Sequence, residues 1–120
     1  MNIEEVREYC IAKRGVTEEF PFDEDTLVFK VMGKMFLLTS LTAQPFSCNL
    51  KMDAELTDEY REKYEDILPG WHMNKKMWNT VYFAGGSIPR KELLWMIDHS
   101  YDEVVKKLPK KICKQLNEIK

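Results

Sequence analysis

Two runs of β-branched, aromatic and aliphatic side chains in residues 26–40 are separated by Gly33 and Lys34, and this pattern predicts an antiparallel β-hairpin. A proline then interrupts the pattern, and residues 46–52 alternate apolar with polar side chains. Such alternation is typical of a strand with one buried face. The middle of the chain therefore predicts an antiparallel sheet whose second face is solvated or covered.

Helices are predicted on both sides of these strands. Residues 3–13 carry apolar side chains at helical spacing, and Asn2 with Glu5 three residues later resembles a capping box. Residues 54–65 show a similar apolar stripe and follow Asp53, a candidate N-cap. Both segments thus contain their own start signals.

The remaining segments complete an α+β pattern. Residues 16–25 are predicted as a polar connector, and residues 78–83 as a further strand. A long helix begins near Pro89 and stops or kinks at Pro109, because proline cannot continue a helix unbroken, and residues 112–119 predict a last short helix. Runs of antiparallel strands with separate helices define the α+β class.

Length and composition predict one cytoplasmic domain. A chain of 120 residues with 44% hydrophobic residues can bury a core without a disulfide or metal. Three cysteines far apart along the chain, Cys10, Cys48 and Cys113, predict free and mostly buried thiols in a reducing compartment. The sequence begins with acidic residues rather than a signal peptide and has no apolar run of about 18 residues, so we expect no membrane span.

Charge is distributed unevenly along the chain. Residues 1–29 carry three basic and eight acidic side chains, whereas residues 67–120 carry ten basic and five acidic side chains. This asymmetry could offer one positive face to an anionic partner, or it could reflect a solvated helix and a lysine-rich tail. The formal net charge of −2 and the pI near 5.7 count against a non-specific binder of nucleic acid.

Residues 69–81, PGWHMNKKMWNTV, place aromatic, amide and cationic side chains almost side by side. In a binding interpretation, lysines contact phosphates and Trp71 or Trp78 stacks on a base. In a structural interpretation, the tryptophans pack in the core and the asparagines bond backbone in a turn. We favour the structural interpretation for the tryptophans and for Asn79. The candidates for contact with a partner are His72, Asn74, Lys75 and Lys76.

Further patterns are weaker. Gly85, Gly86 and Ser87 precede a helix and could cradle an anion, or could simply form a tight turn. The acidic cluster of residues 23–25 fits a solvated turn better than a cation site. A basic run could track a phosphate backbone or be a solvated helix face; it consists of Lys106, Lys107, Lys110, Lys111 and Lys114.

Catalytic and metal motifs are not recognisable in the sequence. Neither histidine has a Cys or Ser partner at a known spacing, and the histidines and cysteines do not have the spacing of zinc ligands. His99 is expected at the surface of the long helix. We therefore predict a protein that is not an enzyme and that needs no cofactor and no metal.

The segment at 69–81 resembles the hallmark segment of the MmcQ/YjbR family. The predicted hairpin, the Asp53-capped helix and the segment of residues 88–111 are similar to other parts of that family, so the resemblance covers nearly the whole chain. It implies an α-β3-α-β2-α fold like that of secretion chaperones, and DNA binding through a double-wing arrangement. Trp71 stands where the family usually has tyrosine, and Met77 where it usually has histidine, so no catalytic role is carried over.

The resemblance and the basic C-terminal half together predict phosphate-driven, weakly sequence-specific DNA binding. Gly33-Lys34 and Lys75-Lys76 would be the two wings. The predicted contact residues are Lys34, Lys51, His72, Asn74, Lys75, Lys76 and Arg90. A protein- or peptide-binding adaptor is the alternative, favoured by the likeness to secretion chaperones and by the open edges of a small sheet. A small-molecule pocket around Trp71 and His72 is a third, lesser possibility.

Overall fold

The structure is a computed structural model that describes residues 1–70 and 76–119. Helices and strands alternate in blocks along the chain. In order they are α1 (Ile3–Ile11), β1 (Val16–Glu19), β2 (Thr26–Val31), β3 (Lys34–Ser40), β4 (Ser47–Lys51), α2 (Ala54–Lys63), β5 (Ile67–Pro69), β6 (Trp78–Tyr82), α3 (Arg90–Val105) and α4 (Lys110–Glu118). In the described residues, no helix combines the length and the apolar character that a membrane span requires.

The strands form one antiparallel sheet in the order β1-β2-β3-β4-β6-β5. Helix α3 packs across β2, β3 and β4, and alternate strand residues such as Phe29 and Leu50 meet the helices in a shared core. Phe29 is fully buried and Leu50 is nearly so. The predicted α+β class, the hairpin and the one-sided strand at 46–52 are confirmed.

The helix starts follow from local sequence. In α1 the Asn2 side chain accepts a hydrogen bond from the Glu5 N–H, and the Glu5 carboxylate accepts one from the Asn2 N–H, which confirms the capping box. In α2 the Asp53 carboxylate caps the Glu55 N–H at 2.8 Å. Helix α3 begins directly after Pro89 without a side-chain cap.

The expectation of a polar connector over residues 16–25 is wrong at its start. Val16–Glu19 form the edge strand β1, which pairs with β2 from Val16 opposite Val31 to Glu19 opposite Val28. The sequence VTEE has no apolar alternation because an edge strand is largely exposed. Its carboxylates instead bind neighbouring elements: Glu18 pairs with Arg7 of α1, and Glu19 with Lys30 of β2.

Residues 69 and 70 belong to the outer part of the sheet, on the far side of β6. Pro69 is the last residue of β5 and lies opposite Asn79, and the Gly70 N–H donates to the Trp78 carbonyl at 2.9 Å. Proline is tolerated here because β5 is the outer strand of the sheet, and one side of its backbone has no ladder partner among residues 1–70 and 76–119.

The cysteines follow the prediction of buried free thiols in two cases. Cys10 and Cys48 are fully buried, whereas Cys113 is half-buried, and all three are free. Burial raises the pKa of the Cys10 thiol to about 12 and that of Cys48 still further from its ordinary range. Both thiols are therefore neutral, poorly nucleophilic core side chains.

The contact between α1 and β1 predicts a defined pH dependence of stability. Arg7 donates two hydrogen bonds of 2.6 Å to the Glu18 carboxylate, and these hold the pKa of Glu18 below its ordinary value of 4.5. A carboxylate with a lowered folded pKa stabilises the fold above its unfolded pKa, and this contribution is lost as the pH falls through the folded value.

We therefore expect Arg7→Gln to reduce the steepness with which stability falls between about pH 5 and about pH 3. Urea denaturation at several pH values measures this slope for the wild type and the variant. Lys63→Gln, which removes a positive charge from the exposed side of α2, serves as the control and keeps the wild-type slope. Equal slopes for Arg7→Gln and the wild type would contradict the assignment.

Candidate functional site

The antiparallel register brings several lysines to one end of the sheet. The β2–β3 turn, the last residue of β4, the approach to β6 and the last turn of α3 all lie there. We call this surface the basic end and define it by Lys34, Lys51, Lys76, Lys106 and Lys107. Helix α4, which begins with Lys110 and Lys111, follows α3 directly at this end.

Lys51 and Lys107 lie near each other at the basic end. Lys51 ends β4 opposite Trp78, and the next residue, Met52, donates its N–H to the Met77 carbonyl at 2.6 Å. The Lys107 amine lies 3.9 Å from the sulfur of the same Met77. Partial burial of Lys51, followed by the charge of Lys107, lowers the pKa of the Lys51 amine from its ordinary value.

Lys106 has a different environment. Its amine makes a short ion pair with Glu103, one turn back on α3, and lies 3.9 Å from the Asp53 carboxylate. The hydrogen bond to Glu103 raises the pKa of Lys106. Glu103 is almost completely buried, so Lys106 compensates a charge that would otherwise be unpaired in the interior. The charge of Lys106 is thus partly used within the fold, unlike the Lys51–Lys107 pair, in which like charges adjoin.

Two side chains of α3 hold β3, β4 and α2 in position around this pair. The fully buried Ser100 hydroxyl accepts a hydrogen bond from the Lys51 N–H at 2.9 Å and donates one to the Phe36 carbonyl at 2.5 Å. His99 accepts from the Asp53 N–H at 3.1 Å.

His99 is therefore not the surface residue that the sequence predicts. The hydrogen bond to Asp53 engages Nε2 as an acceptor, and the half-buried ring stacks on Trp95 with centroids 4.8 Å apart. Trp95 in turn stacks on Tyr60 of α2 at 5.4 Å. This arrangement gives His99 a role in docking α2 against α3.

The predicted contact residues divide into three groups. Lys34 is exposed at the hairpin tip, and together with Lys51 and the exposed Lys76 it belongs to the basic end. Arg90 does not, because it begins α3 and pairs with Glu5 at 2.6 Å, and a helix of 16 residues places it about 24 Å from the other end of α3. Three predicted residues, together with Trp71, lie outside the described residues: His72, Asn74 and Lys75.

The glycine-rich turn before α3 is not available to an external anion as the sequence suggested. The Asp66 carboxylate already occupies it, accepting from the Ser87 N–H at 3.1 Å and from the Ser87 hydroxyl at 2.5 Å. A Cβ atom on Gly85 would lie 2.2 Å from the Asp66 oxygen, so glycine is needed for this close approach. The turn therefore holds the Asp66 carboxylate of the same chain rather than an external anion.

Asn79 is buried, as the structural interpretation expects, but it lies on a strand rather than in a turn. Its side-chain oxygen accepts a hydrogen bond of 2.7 Å from Arg61 of α2. Trp78, the neighbouring residue, is only partly buried. The acidic residues 23–25 form the predicted turn: Asp23 accepts from the N–H groups of Asp25 and Thr26.

The acidic residues of the N-terminal part collect at the opposite end of the sheet. Glu19 ends β1 beside the start of β2, and the turn of residues 23–25 joins these two strands. The domain therefore has a basic end and an acidic end, and the positive side chains are concentrated at one of them although the total charge is slightly negative.

Sequence reasoning missed the partnership of Lys51 with Lys107. The two residues are far apart in the chain, and Lys107 was assigned only to a general basic run. The sequence offered one signal for Lys51. It is the last residue of β4, and it is the only long charged side chain on the polar face of a strand whose other polar residues, Ser47 and Asn49, are small. Only the docking of α3 onto β4 brings the two lysines to the same end of the sheet.

Comparisons with known proteins agree with this architecture. The family model described as YjbR matches residues 11–103. The uncharacterized protein YjbR of Escherichia coli strain K12 is 32% identical over 109 residues, covering 91% of this chain and 92% of its own. The uncharacterized protein YbdF of E. coli O157:H7 is 41% identical over 93 residues, covering 77% of this chain and 75% of its own.

Two crystal structures share the fold. A Deinococcus radiodurans protein with a DUF419 domain superposes with a TM-score of 0.90 and 37% sequence identity, over 97% of this chain and 88% of that one. A Pseudomonas syringae protein superposes with a TM-score of 0.73 and 26% identity, over 86% of this chain and 98% of that one.

Proposed function

The chain belongs to the YjbR family, and from the geometry of its basic end we propose that it binds DNA through the phosphate backbone, with little sequence preference. The hairpin tip at Lys34 and the segment that enters β6 at Lys76 flank the surface as two wings. In this proposal the domain performs no catalytic step and uses no cofactor.

The adjacency of Lys51 and Lys107 carries the proposal. Lys51 ends β4 and Lys107 follows α3 at the same end of the sheet. Partial burial, and after it the charge of Lys107, lowers the pKa of the Lys51 amine. A phosphate group placed between them would replace the repulsion by two charge-assisted hydrogen bonds. Two lysines at the same end of the sheet are complementary to a polyanion.

The low pI counts against binding of a polyanion, but the separation of basic and acidic side chains at opposite ends of the sheet removes this difficulty. Electrostatic attraction acts over about a Debye length, roughly 8–10 Å at physiological ionic strength, so a phosphate at the basic end senses the local lysines more than the distant carboxylates. The acidic end would favour one orientation of the domain on the duplex, with the β1 edge turned away from it.

A salt titration tests the proposal. We expect binding of a fluorescently labelled duplex that weakens with salt, with a log–log slope of about −3 to −5 for four or five phosphate contacts. Lys51→Gln/Lys107→Gln is expected to reduce the magnitude of that slope by about 2 and the affinity by about tenfold at low salt. Fluorescence anisotropy at several salt concentrations measures both quantities.

Lys91→Gln is the matched control, because Lys91 is exposed and lies in the first turn of α3, whereas the basic end is at the last turn of that helix. It removes a positive charge without altering the basic end and leaves the slope unchanged. Circular dichroism verifies the fold of each variant. Undetectable binding by the wild type at low salt, or equal effects of the double variant and Lys91→Gln, would refute the proposal.

An exposed apolar surface favours the alternative of a peptide-binding adaptor. Phe20 and Leu41 are 49% and 45% exposed and line a cavity with Leu27 beside the open edge of β1. An extended peptide could pair with the edge strand and place side chains in this cavity. Selection from a random peptide library distinguishes this function: enrichment by the wild type but not by Phe20→Asp would support it.

A further inference from the structure

The register of β4 and β6 sorts their side chains onto two faces of the sheet. Leu50 and Val81 belong to the hydrophobic core that the strands share with the helices. Side chains alternate along a strand, and residues opposite each other in a strand pair point to the same face, so the residues next to these two lie on the second face. We call this set the sheet platform: Lys51 opposite Trp78, Asn49 opposite Thr80, and Ser47 opposite Tyr82.

The sheet platform carries polar groups that the fold does not use. The Thr80 hydroxyl donates a hydrogen bond of 2.7 Å to the Asn49 side-chain oxygen. Within the described part of the chain, no hydrogen bond is made by the Asn49 amide nitrogen, the Ser47 and Tyr82 hydroxyls or the indole N–H of Trp78. These side chains are half-buried, so a ligand that covers the sheet platform would meet several free donors and acceptors.

The sheet platform is continuous with the basic end. Lys51 belongs to both surfaces, and Trp78 lies directly opposite it. Tyr82 is four residues farther along β6 on the same face, which places the two aromatic residues about 13 Å apart. On the next strand Leu68 pairs with Thr80 and is 43% exposed, so it extends the sheet platform toward the outer edge. A cationic surface thus leads into a row of aromatic and polar side chains.

We propose that the sheet platform binds unpaired bases of single-stranded DNA, which stack on Trp78 and Tyr82 while their phosphates contact Lys51 and the basic end. The proposal deepens the proposed function and rests on it, because the basic end supplies the phosphate contacts. Stacking on an aromatic ring accepts any base, and the free hydroxyl and amide groups can bond to base edges. Bases inside a duplex are stacked on each other and cannot reach these rings.

Charge and polarity favour this occupant over a protein partner. The members of the sheet platform include a lysine and no carboxylate. The carboxylate of Glu19, near the β1 edge of the same face, is already paired with Lys30 at 3.3 Å. A strand with an apolar face would bury the free polar groups of the sheet platform without satisfying them, and such burial is unfavourable. Nucleotides offer hydrogen-bonding edges, aromatic faces and anions together.

Three fluorescent probes test the proposal with the whole protein: an oligothymidylate of about ten nucleotides, an abasic strand of the same length, and a duplex. The abasic strand has the same phosphates but no bases. We expect the oligothymidylate to bind at least about tenfold more tightly than the abasic strand in anisotropy titrations at low salt. Equal affinities for these two strands would overturn the proposal.

Trp78→Leu and Trp78→Phe form a matched pair of variants. We expect Trp78→Leu to weaken oligothymidylate binding by about tenfold and to leave duplex and abasic binding unchanged, whereas Trp78→Phe keeps an aromatic ring and most of the affinity. Tyr82→Leu tests the second ring in the same way. Phe22→Leu is the control, because Phe22 is 62% exposed but lies outside the sheet platform. Circular dichroism verifies the fold of each variant.

The outcomes separate this proposal from the proposed function. Duplex binding together with equal oligothymidylate affinity in Trp78→Leu, Tyr82→Leu and the wild type would overturn the sheet platform and leave the proposed function intact. Oligothymidylate binding that depends on Trp78, without detectable duplex binding, would support the sheet platform and refute duplex binding. Undetectable binding of every probe at low salt would refute both.

Discussion

Ser100→Ala is expected to lower the free energy of unfolding by about 2–4 kcal/mol, because it removes a hydroxyl that joins two strands to a helix. Strands β3 and β4 pair directly at Leu37–Leu50 and Leu38–Asn49. The next pair in that register is Phe36 and Lys51, and here the Ser100 hydroxyl lies between the strands and bonds both of them. Alanine would leave a buried N–H and a buried carbonyl without this partner, and each costs about 1–3 kcal/mol.

Urea denaturation of Ser100→Ala and of the control Ser47→Ala measures this effect. Ser47 lies on β4 and is partly exposed, so its replacement is expected to change stability by no more than about 0.5 kcal/mol. A loss below about 1 kcal/mol in Ser100→Ala would mean that water or a strand shift replaces the hydroxyl. That result would contradict the bridging role of Ser100.

Gly15→Ala is expected to destabilise the domain by about 2–4 kcal/mol through two additive causes. Gly15 precedes β1 with a φ of +74°, a conformation that costs an L-residue about 1–2 kcal/mol. A Cβ atom there would lie 2.5 Å from the Leu116 side chain and 3.2 Å from the Met32 sulfur. Leu116 is buried, so α4 would have to move away from the start of the sheet.

Gly33→Ala separates the two causes. Gly33 has a similar φ of +84°, but an added Cβ would meet no atom within 4 Å among the described residues. We therefore expect this variant to lose only the conformational part, about 1–2 kcal/mol. Thermal and urea unfolding of the two variants measure the difference. Equal losses would show that Leu116 adjusts freely and that α4 packs loosely against Gly15.

The parts of the fold that the sequence predicts correctly are those encoded by neighbouring residues. The hairpin follows from two apolar runs around Gly33, and the starts of α1 and α2 follow from the hydrogen-bonding capacity of Asn2 and Asp53. The alternation at 46–52 identifies a strand with one buried face because the side-chain period of a strand is two.

The edge strands were harder to predict for a physical reason. Burial produces the apolar pattern by which strands are recognised, and the outer strands of this sheet are largely exposed. Val16–Glu19 contains two glutamates that form ion pairs, and Ile67–Pro69 ends in a proline. Their strand conformation is imposed by pairing with β2 and β6, so it depends on partners that the local sequence does not contain.

The sequence by itself determined the α+β class, the helix starts and the excess of lysine in the C-terminal half, because each depends on residue type or on spacing within one segment. Only the tertiary structure decided which charges are available at a surface. It brings Lys107 to the same end of the sheet as Lys51, pairs Arg90 with Glu5 at the other end of α3, and fills the glycine turn with Asp66. These outcomes depend on distances between residues remote in the chain, and Coulomb energies change with those distances and with burial.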